Sequence, residues 1–180
     1  RPGTISNKGF SPKELAELRP GIVCVSLSAF SHVGPWGNKR GFDSIVQCCT
    51  GLVHAHSDGR DGPPRHLPAQ CLDYVTGYLG AFGTMEALRR RATEGGSWLV
   101  RVSLVQTAHW LKRLGAFGNS EDARGLPDPG LEDVIDLTME TPSTFGNVRH
   151  LAPAITLSET PSHWIRPPAP LSSHEPVWPT

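Results

Sequence analysis

One long segment, from about Gln70 to about Thr93, constrains the fold of this chain most strongly. It follows a loop rich in proline and glycine, and the pair Gly95-Gly96 is expected to stop it. Read with helical periodicity, the segment carries an apolar stripe on one side, which predicts the buried face of a long helix. The stripe consists of Leu72, Val75, Leu79 and Phe82.

A second stripe of the same helix begins at Asp73 and has almost no side-chain bulk. Its other members are Thr76, Gly77, Gly80 and Thr84. A carboxylate in a first helical turn, above a strip that a backbone or a ligand can approach closely, is well placed for chemistry. The helix dipole is expected to keep it ionised near neutral pH. The alternative is a capping aspartate over a tight helix–helix contact, and the pattern alone leaves both interpretations open.

Local signals predict the remaining elements. Ser11-Pro12-Lys13-Glu14 is a capping box with proline at the first helical position, so a helix is expected over residues 11–18. A β-rich run predicts a strand over residues 22–30. The segments that follow predict a helix over 42–50, a strand over 98–104, a helix over 103–114, a short helix over 131–140, an irregular strand over 148–157 and an extended Pro-rich tail from 161 to 180. This order favours an α/β fold.

Composition narrows the possible partners. The 180 residues contain 17 basic and 17 acidic side chains, which gives no charge excess for nucleic acid or an anionic membrane surface. The apolar stretches fall short of the roughly 18 residues that a spanning helix needs. The four cysteines fit no zinc spacing, so reduced thiols in a cytoplasmic protein are expected. His54 and His56 would share one face of a strand, but they lack a third ligand at a recognisable spacing, so no metal site is predicted.

A series of short motifs runs through most of the chain in a fixed order. They are Arg1-Pro2-Gly3, Gly34-Pro35-Trp36, Arg40-Gly41-Phe42-Asp43, Gly51-Leu52, Asp61-Gly62-Pro63, the Asp73 helix, Val100-Arg101-Val102-Ser103-Leu104 and Leu157-Ser158-Glu159-Thr160-Pro161. In this order they resemble the family III CoA-transferases of the CaiB/BaiF type. The α-methylacyl-CoA racemases belong to the same superfamily.

The resemblance implies a Rossmann-like portion of the large domain of such an enzyme, with an extended C-terminal tail. It assigns residues 1–117 to a partial large domain, 118–142 to a linker and short helix, and 143–180 to a C-terminal return segment. Because the chain starts inside a family motif and lacks the usual small domain, it is expected to be one part of a longer polypeptide. The complete protein is expected to form an interlocked homodimer.

The resemblance also implies an activity. Family III enzymes move coenzyme A from an acyl-CoA to a carboxylic acid, with the CoA thioester as substrate and no bound prosthetic group. Asp73 matches the aspartate that attacks the thioester and forms a covalent aspartyl intermediate.

The residues that match CoA-contacting segments of the family are Arg1, Asn7, Lys8, Arg40, Gly41, Phe42 and Asp43. Arg40 is suited to the CoA phosphates and Phe42 to an apolar contact. Asp43 is expected either to bond near the thioester or to serve the start of its own helix. The family often has arginine at the position of Asn7, and Lys8 is the candidate to restore that charge.

Two alternatives to CoA transfer remain. The racemases carry histidine at the position of Phe42, and phenylalanine cannot transfer a proton, so racemisation would need His54, His56 or His66 in a different geometry. The other alternative is a truncated or degenerate CoA-transferase segment without turnover.

Overall fold

The part of the chain that the structure describes forms one long helix, several short helices and two pairs of strands. The structure, a computed structural model, describes residues 3–57, 62–115 and 127–177. The chain divides into two compact units, Arg1–Asp122 and Ala123–Thr180. In chain order the first unit contains a 3-10 turn (Ser6–Lys8), α1 (Pro12–Leu18), β1 (Val23–Ser28), α2 (Asp43–Cys49), α3 (Leu52–Ala55), α4 (Cys71–Glu94), β2 (Trp98–Ser103) and α5 (Leu104–Leu114).

Helix α1 begins at the predicted capping box. The Ser11 Oγ accepts a hydrogen bond from the Glu14 amide, and the Glu14 carboxylate accepts one from the Ser11 amide at 2.8 Å. Pro12 takes the first helical position, where its missing N–H leaves no hydrogen bond unmade. The reciprocal bonds satisfy two amides that would otherwise lack partners, and the predicted helix is confirmed.

Strands β1 and β2 pair in parallel, which confirms both predicted strands. Val23 lies opposite Trp98, and Ser28 lies opposite Ser103. Parallel strands need a crossover connection, and here α4 precedes β2 directly. The carboxyl ends of both strands therefore lie side by side, and this end of the sheet, at Ser28 and Ser103, is called the carboxyl edge below.

Helix α4 packs on the sheet through its smallest residues. A Cβ built on Gly80 would lie 3.8 Å from Val102 Cγ2, and one built on Gly83 would lie 2.7 Å from Val100 Cγ1. Because later helix positions meet earlier strand positions, α4 runs antiparallel to β2. The first turn of α4 consequently lies at the carboxyl edge.

The buried face of α4 differs from the predicted apolar stripe. Leu72 is buried, but Phe82 is 67% exposed. The other buried positions of the helix are Thr76, Gly80 and Ala87. The prediction that the apolar stripe marks the buried face is therefore wrong for Phe82, since close packing on the sheet selects small side chains rather than the most apolar ones.

The core of the first unit gathers where α2, α4 and α5 meet the carboxyl edge. Its buried members are Phe30, Val46, Leu72, Leu104 and Ala108. The hydroxyls of Thr76 and Thr107 lie 2.6 Å apart and join α4 to α5 inside this core. Gly41 is pressed against the same core, because a Cβ built there would lie 2.9 Å from both Ala29 Cβ and Phe30 Cε2.

The second unit is built on a hairpin. A 3-10 turn (Ile135–Leu137) precedes β3 (Thr138–Ser143), which pairs antiparallel with β4 (Gly146–Leu151). Across the hairpin, Arg149 Nη2 lies 2.6 Å from Glu140 Oε1. Residues 152–177 form neither helix nor strand, in keeping with the extended tail predicted from residue 161. The strand predicted over residues 148–157 is wrong beyond Leu151, where β4 ends.

Two further element predictions need correction. The short helix predicted over residues 131–140 is wrong beyond the turn Ile135–Leu137, because the following residues pair with β4 instead. The strand placement of His54 and His56 is also wrong, since His54 lies in α3 and His56 ends that helix. Among the helices of the described ranges, none is long and apolar enough to cross a membrane.

Candidate active site

Asp73 lies in the first turn of α4, at the carboxyl edge, with its side chain exposed. The first amides of an α-helix have no partner within the helix, so they need acceptors from elsewhere. Gln70 precedes the helix and provides no side-chain cap. The start of α4 therefore depends on another element for its hydrogen bonds.

Asp43, at the start of α2, supplies such an acceptor. The Asp73 N–H donates to Asp43 Oδ2 at 3.0 Å, and Gln47 Nε2 donates to Asp43 Oδ1. The Leu67 N–H in turn donates to Gln47 Oε1 at 2.9 Å. Asp43 is 0% exposed and Gln47 is 2% exposed. A buried carboxylate is tolerated only when it is hydrogen-bonded, and here each of its oxygens accepts a bond.

The surroundings raise the pKa of the Asp73 carboxyl above its ordinary value. Partial removal from solvent is the larger cause, and the charge of Asp43 acts in the same direction. The same two causes raise the pKa of the Cys71 thiol. A helix dipole favours ionisation, but the net shift of the Asp73 pKa runs against it, because partial removal from solvent and, to a smaller extent, the charge of Asp43 favour the protonated form. Ionisation of Asp73 near neutral pH stays a prediction.

A cavity of about 470 Å³ opens at the carboxyl edge between the loop after β1, the end of β2 and α5. Its polar lining includes His32 and Arg101, and the pKa of His32 is lowered by burial and by the Arg101 charge. Thr107 also lines the cavity and contacts Thr76, which follows Asp73 by three positions. Leu79 of α4 also lines the cavity, six positions beyond Asp73.

The segment that precedes α2 separates into exposed and packed residues. Arg40 is exposed, and the Phe42 side chain is 77% exposed, so both are free to contact a ligand. Gly41 packs against Phe30, and Asp43 turns inward to α4. Contact with coenzyme A stays a prediction for these residues, and for Asp43 it would require a change from this buried position.

The other predicted CoA-binding residues lie near the start of the chain. Asn7 and Lys8 are exposed on the 3-10 turn, whose backbone bonds run from Asn7 to Gly3 and from Lys8 to Ile5. Within the described ranges, no hydrogen bond joins this turn to Asp73 or Asp43. Arg1 lies outside the residues that the structure describes.

Sequence reasoning missed Gln47 as a site residue. Its spacing of four positions from Asp43 places both side chains on one face of α2, and this spacing was the available signal. The bond from Leu67 to Gln47 and the bond from Asp73 to Asp43 could not be read from the same pattern, because they span 20 and 30 positions of the chain.

The sequence profile of CoA-transferase family III matches residues 1–125. The chain belongs to CoA-transferase family III. Among curated members, the acetyl-coenzyme A transferase of Hypoxylon pulicicidum is 33% identical over 120 residues, which are 63% of this chain and 20% of that protein. The succinyl-CoA–D-citramalate CoA-transferase of Chloroflexus aurantiacus is 30% identical over 106 residues, which are 59% of this chain and 26% of that protein.

The fold of this chain has a counterpart among solved structures. A crystal structure of a Mycobacterium tuberculosis protein superposes with a TM-score of 0.77, over 94% of this chain and 71% of that one, at 17% identity. At this identity the likeness concerns the fold alone. The matched part of this chain spans about a quarter or less of the two curated family members named above.

Proposed function

We propose that this chain carries the nucleophile of an enzyme that transfers coenzyme A from an acyl-CoA to a carboxylic acid. The supporting observation is the exposed carboxylate of Asp73 in the first turn of α4, inside the segment that matches CoA-transferase family III. Curated members of this family are named for CoA transfer.

The proposed chemistry needs only a carboxylate and the substrates. An Asp73 carboxylate oxygen attacks the thioester carbonyl, the C–S bond breaks, and a mixed anhydride and CoA thiolate result. The thiolate attacks the aspartyl carbonyl of the anhydride, which releases the donor acid and leaves an aspartyl–CoA thioester. The acceptor carboxylate then attacks the carbonyl of this thioester, the C–S bond breaks, and a second anhydride and CoA thiolate result. Attack of the thiolate on the acceptor's acyl carbonyl in this anhydride gives the new acyl-CoA and restores the Asp73 carboxylate.

Coenzyme A enters this scheme as part of the substrate, and no prosthetic group takes part. The guanidinium of Arg40 is suited to a CoA phosphate, and the exposed ring of Phe42 is suited to an apolar part of the ligand. The exposed turn with Asn7 and Lys8, together with Arg1, is proposed as the second CoA-contacting segment.

The parallel pair β1–β2 with α4 is proposed to be part of a larger Rossmann-like sheet. Val25 and Leu27 of β1 are 50% and 56% exposed, whereas parallel sheets are covered on both faces in complete domains. We also propose that the complete enzyme is an interlocked homodimer. Its large-domain portion would comprise residues 1–117, with a linker over 118–142 and a return segment over 143–180.

Mass spectrometry of the intact protein and of its peptides tests the proposal. The longest native form is incubated with a panel of acyl-CoAs beside Asp73→Ala, with the exposed Asp136→Asn as the matched control. An adduct on the Asp73 peptide, absent only from Asp73→Ala, is the expected result and identifies the donor. Exchange of the α-hydrogen of a branched acyl-CoA without an adduct would instead favour the racemase alternative. Absence of both signals and of CoA binding would favour a segment without turnover.

A further inference from the structure

We propose that Asp43 and Gln47 are positioning residues that fix the Asp73 backbone, and with it the direction of the nucleophile. This inference rests on the proposed function, because it assigns a role to the residues that hold the proposed nucleophile. In this role Asp43 does not contact the substrate directly, but acts on the reaction by binding the peptide N–H of Asp73.

The start of α4 leaves the Asp73 amide without an acceptor inside the helix. Within α4 and its flank, the first bond of the helical ladder runs from the Tyr74 amide to the Gln70 carbonyl. The Asp73 amide comes one position earlier, so its acceptor must come from elsewhere. Asp43 Oδ2, at 3.0 Å, fills this role from a different element. A bond between a backbone N–H and a carboxylate is among the stronger kinds, and burial strengthens it further.

The Leu67 amide fixes the direction of the other hydrogen bonds in this network. It can only donate, so the Gln47 atom that it contacts must be the carbonyl oxygen. The amide nitrogen of Gln47 is then left to donate to Asp43. Asp73 also donates to Asp43 through its N–H, so the side chain at position 43 must accept twice. A carboxylate meets this demand, whereas an asparagine in its place presents an NH2 group to one of two donors.

The Asp73 backbone links this network to chemistry. Asp43 and Gln47 are buried, whereas the Asp73 side chain is exposed. The amide nitrogen of Asp73, which Asp43 holds, and the Asp73 side chain are both bonded to the same Cα. Its reach toward a substrate is therefore set by the orientation of its own peptide group. Displacement of a reacting group by about 1 Å can slow an enzyme roughly 100-fold, so loss of this bond is expected to act on the rate of attack.

A pair of compensating substitutions tests the inference. In Asp43→Asn, one N–H of the network faces an NH2 group. In the double variant, Asp43→Asn with Gln47→Glu, the carboxylate introduced at position 47 accepts from Leu67 and from the amide introduced at position 43. The carbonyl of that amide accepts from Asp73. The double variant thus restores every donor and acceptor and moves the negative charge to position 47. Asp136→Asn serves again as the exposed control.

Two readouts are needed, namely the rate of adduct formation on Asp73 and the hydrogen exchange of the Asp73 amide. Asp43→Asn is expected to slow adduct formation by roughly 10- to 100-fold, with less effect on KM than on kcat, and to lose protection of the amide. The double variant is expected to recover the protection and most of the rate. If the single variant does not fold, the same recovery in the double variant still decides the question.

Each contrary outcome has a distinct meaning. Unchanged rate and unchanged protection in Asp43→Asn would overturn the inference, as would a folded double variant that recovers neither. If the unsubstituted protein forms no adduct, the proposed function fails. The amide exchange then shows independently whether position 43 holds the start of α4.

Discussion

Three glycines of α4 offer the same chemical change in three different surroundings. A Cβ built on Gly77 meets no atom within 4 Å, whereas one built on Gly80 has its two nearest neighbours at 3.8 and 3.9 Å. At Gly83 the nearest atom, Val100 Cγ1, is only 2.7 Å away. Replacing glycine by alanine in an open helix interior stabilises a helix by about 1 kcal/mol. Gly77→Ala is therefore expected to raise the free energy of unfolding by about 1 kcal/mol.

The other two glycines add a packing contribution to this gain. The new methyl of Gly80→Ala fits at ordinary contact distance and contributes up to about 0.8 kcal/mol more by burial. At Gly83 the methyl overlaps a β-branched side chain that has little rotamer freedom. Overpacking of this kind costs about 1–3 kcal/mol, which offsets or exceeds the helix gain. Gly83→Ala is therefore expected to lie between unchanged and about 2 kcal/mol less stable.

Urea unfolding followed by far-UV circular dichroism measures all three variants. The expected order of stability places Gly80→Ala and Gly77→Ala above the unsubstituted protein, with Gly83→Ala at or below it. The informative quantity is the gap between Gly77→Ala and Gly83→Ala, expected to be about 1–3 kcal/mol, because the helix propensity cancels in it. Equal stabilities for these two variants would refute the close packing of α4 on β2.

Three further results are expected. Thr107→Val should destabilise the protein more than Thr76→Val. The Thr107 hydroxyl donates to a backbone carbonyl and therefore accepts from Thr76, so its loss leaves the buried Thr76 hydroxyl without an acceptor and costs about 1–3 kcal/mol, whereas loss of the Thr76 hydroxyl costs roughly 1 kcal/mol. The reverse order of stability in urea unfolding would contradict this reasoning. Glu86, whose pKa two neighbouring arginines hold at about 2, should titrate near that value by NMR. Its small surface contribution to stability should be lost as pH falls from the ordinary 4.5 toward 2, and a midpoint near 4.5 would disprove the pairing. Adduct formation on Asp73 should weaken as pH falls through a midpoint above the ordinary aspartate value of 3.8, because only the ionised carboxylate attacks; a midpoint at or below 3.8 would oppose the raised pKa.

Elements set by neighbouring residues were predictable from the sequence. The capping box around Ser11 fixes the start of α1, and glycine after Glu94 ends α4, so both helices lie where local chemistry places them. The buried face of α4 was not predictable in the same way. Apolar residues occur on both sides of the helix, and the covered side is decided by how closely the sheet approaches, as Gly83 shows.

In the candidate site, too, local features were predictable from the sequence and tertiary contacts were not. The position of Asp73 in a first helical turn followed from its own segment. The role of Asp43 did not, because its partner amide lies 30 positions away and only tertiary packing brings the two together. The hairpin of the second unit was missed for a related reason: the residues of β3 alternate weakly, and their pairing with β4 decides their conformation.

The register of the parallel sheet has a consequence for how the chain folds. Every pair between β1 and β2 joins residues 75 positions apart, from Val23 and Trp98 onward, whereas the outermost pair of the hairpin, Thr138 and Leu151, is separated by 13. Closing the longer loop costs about 1.5 kcal/mol more chain entropy. The hairpin is therefore expected to form on the microsecond timescale, whereas the carboxyl edge of the parallel pair is expected to assemble at a later step of folding.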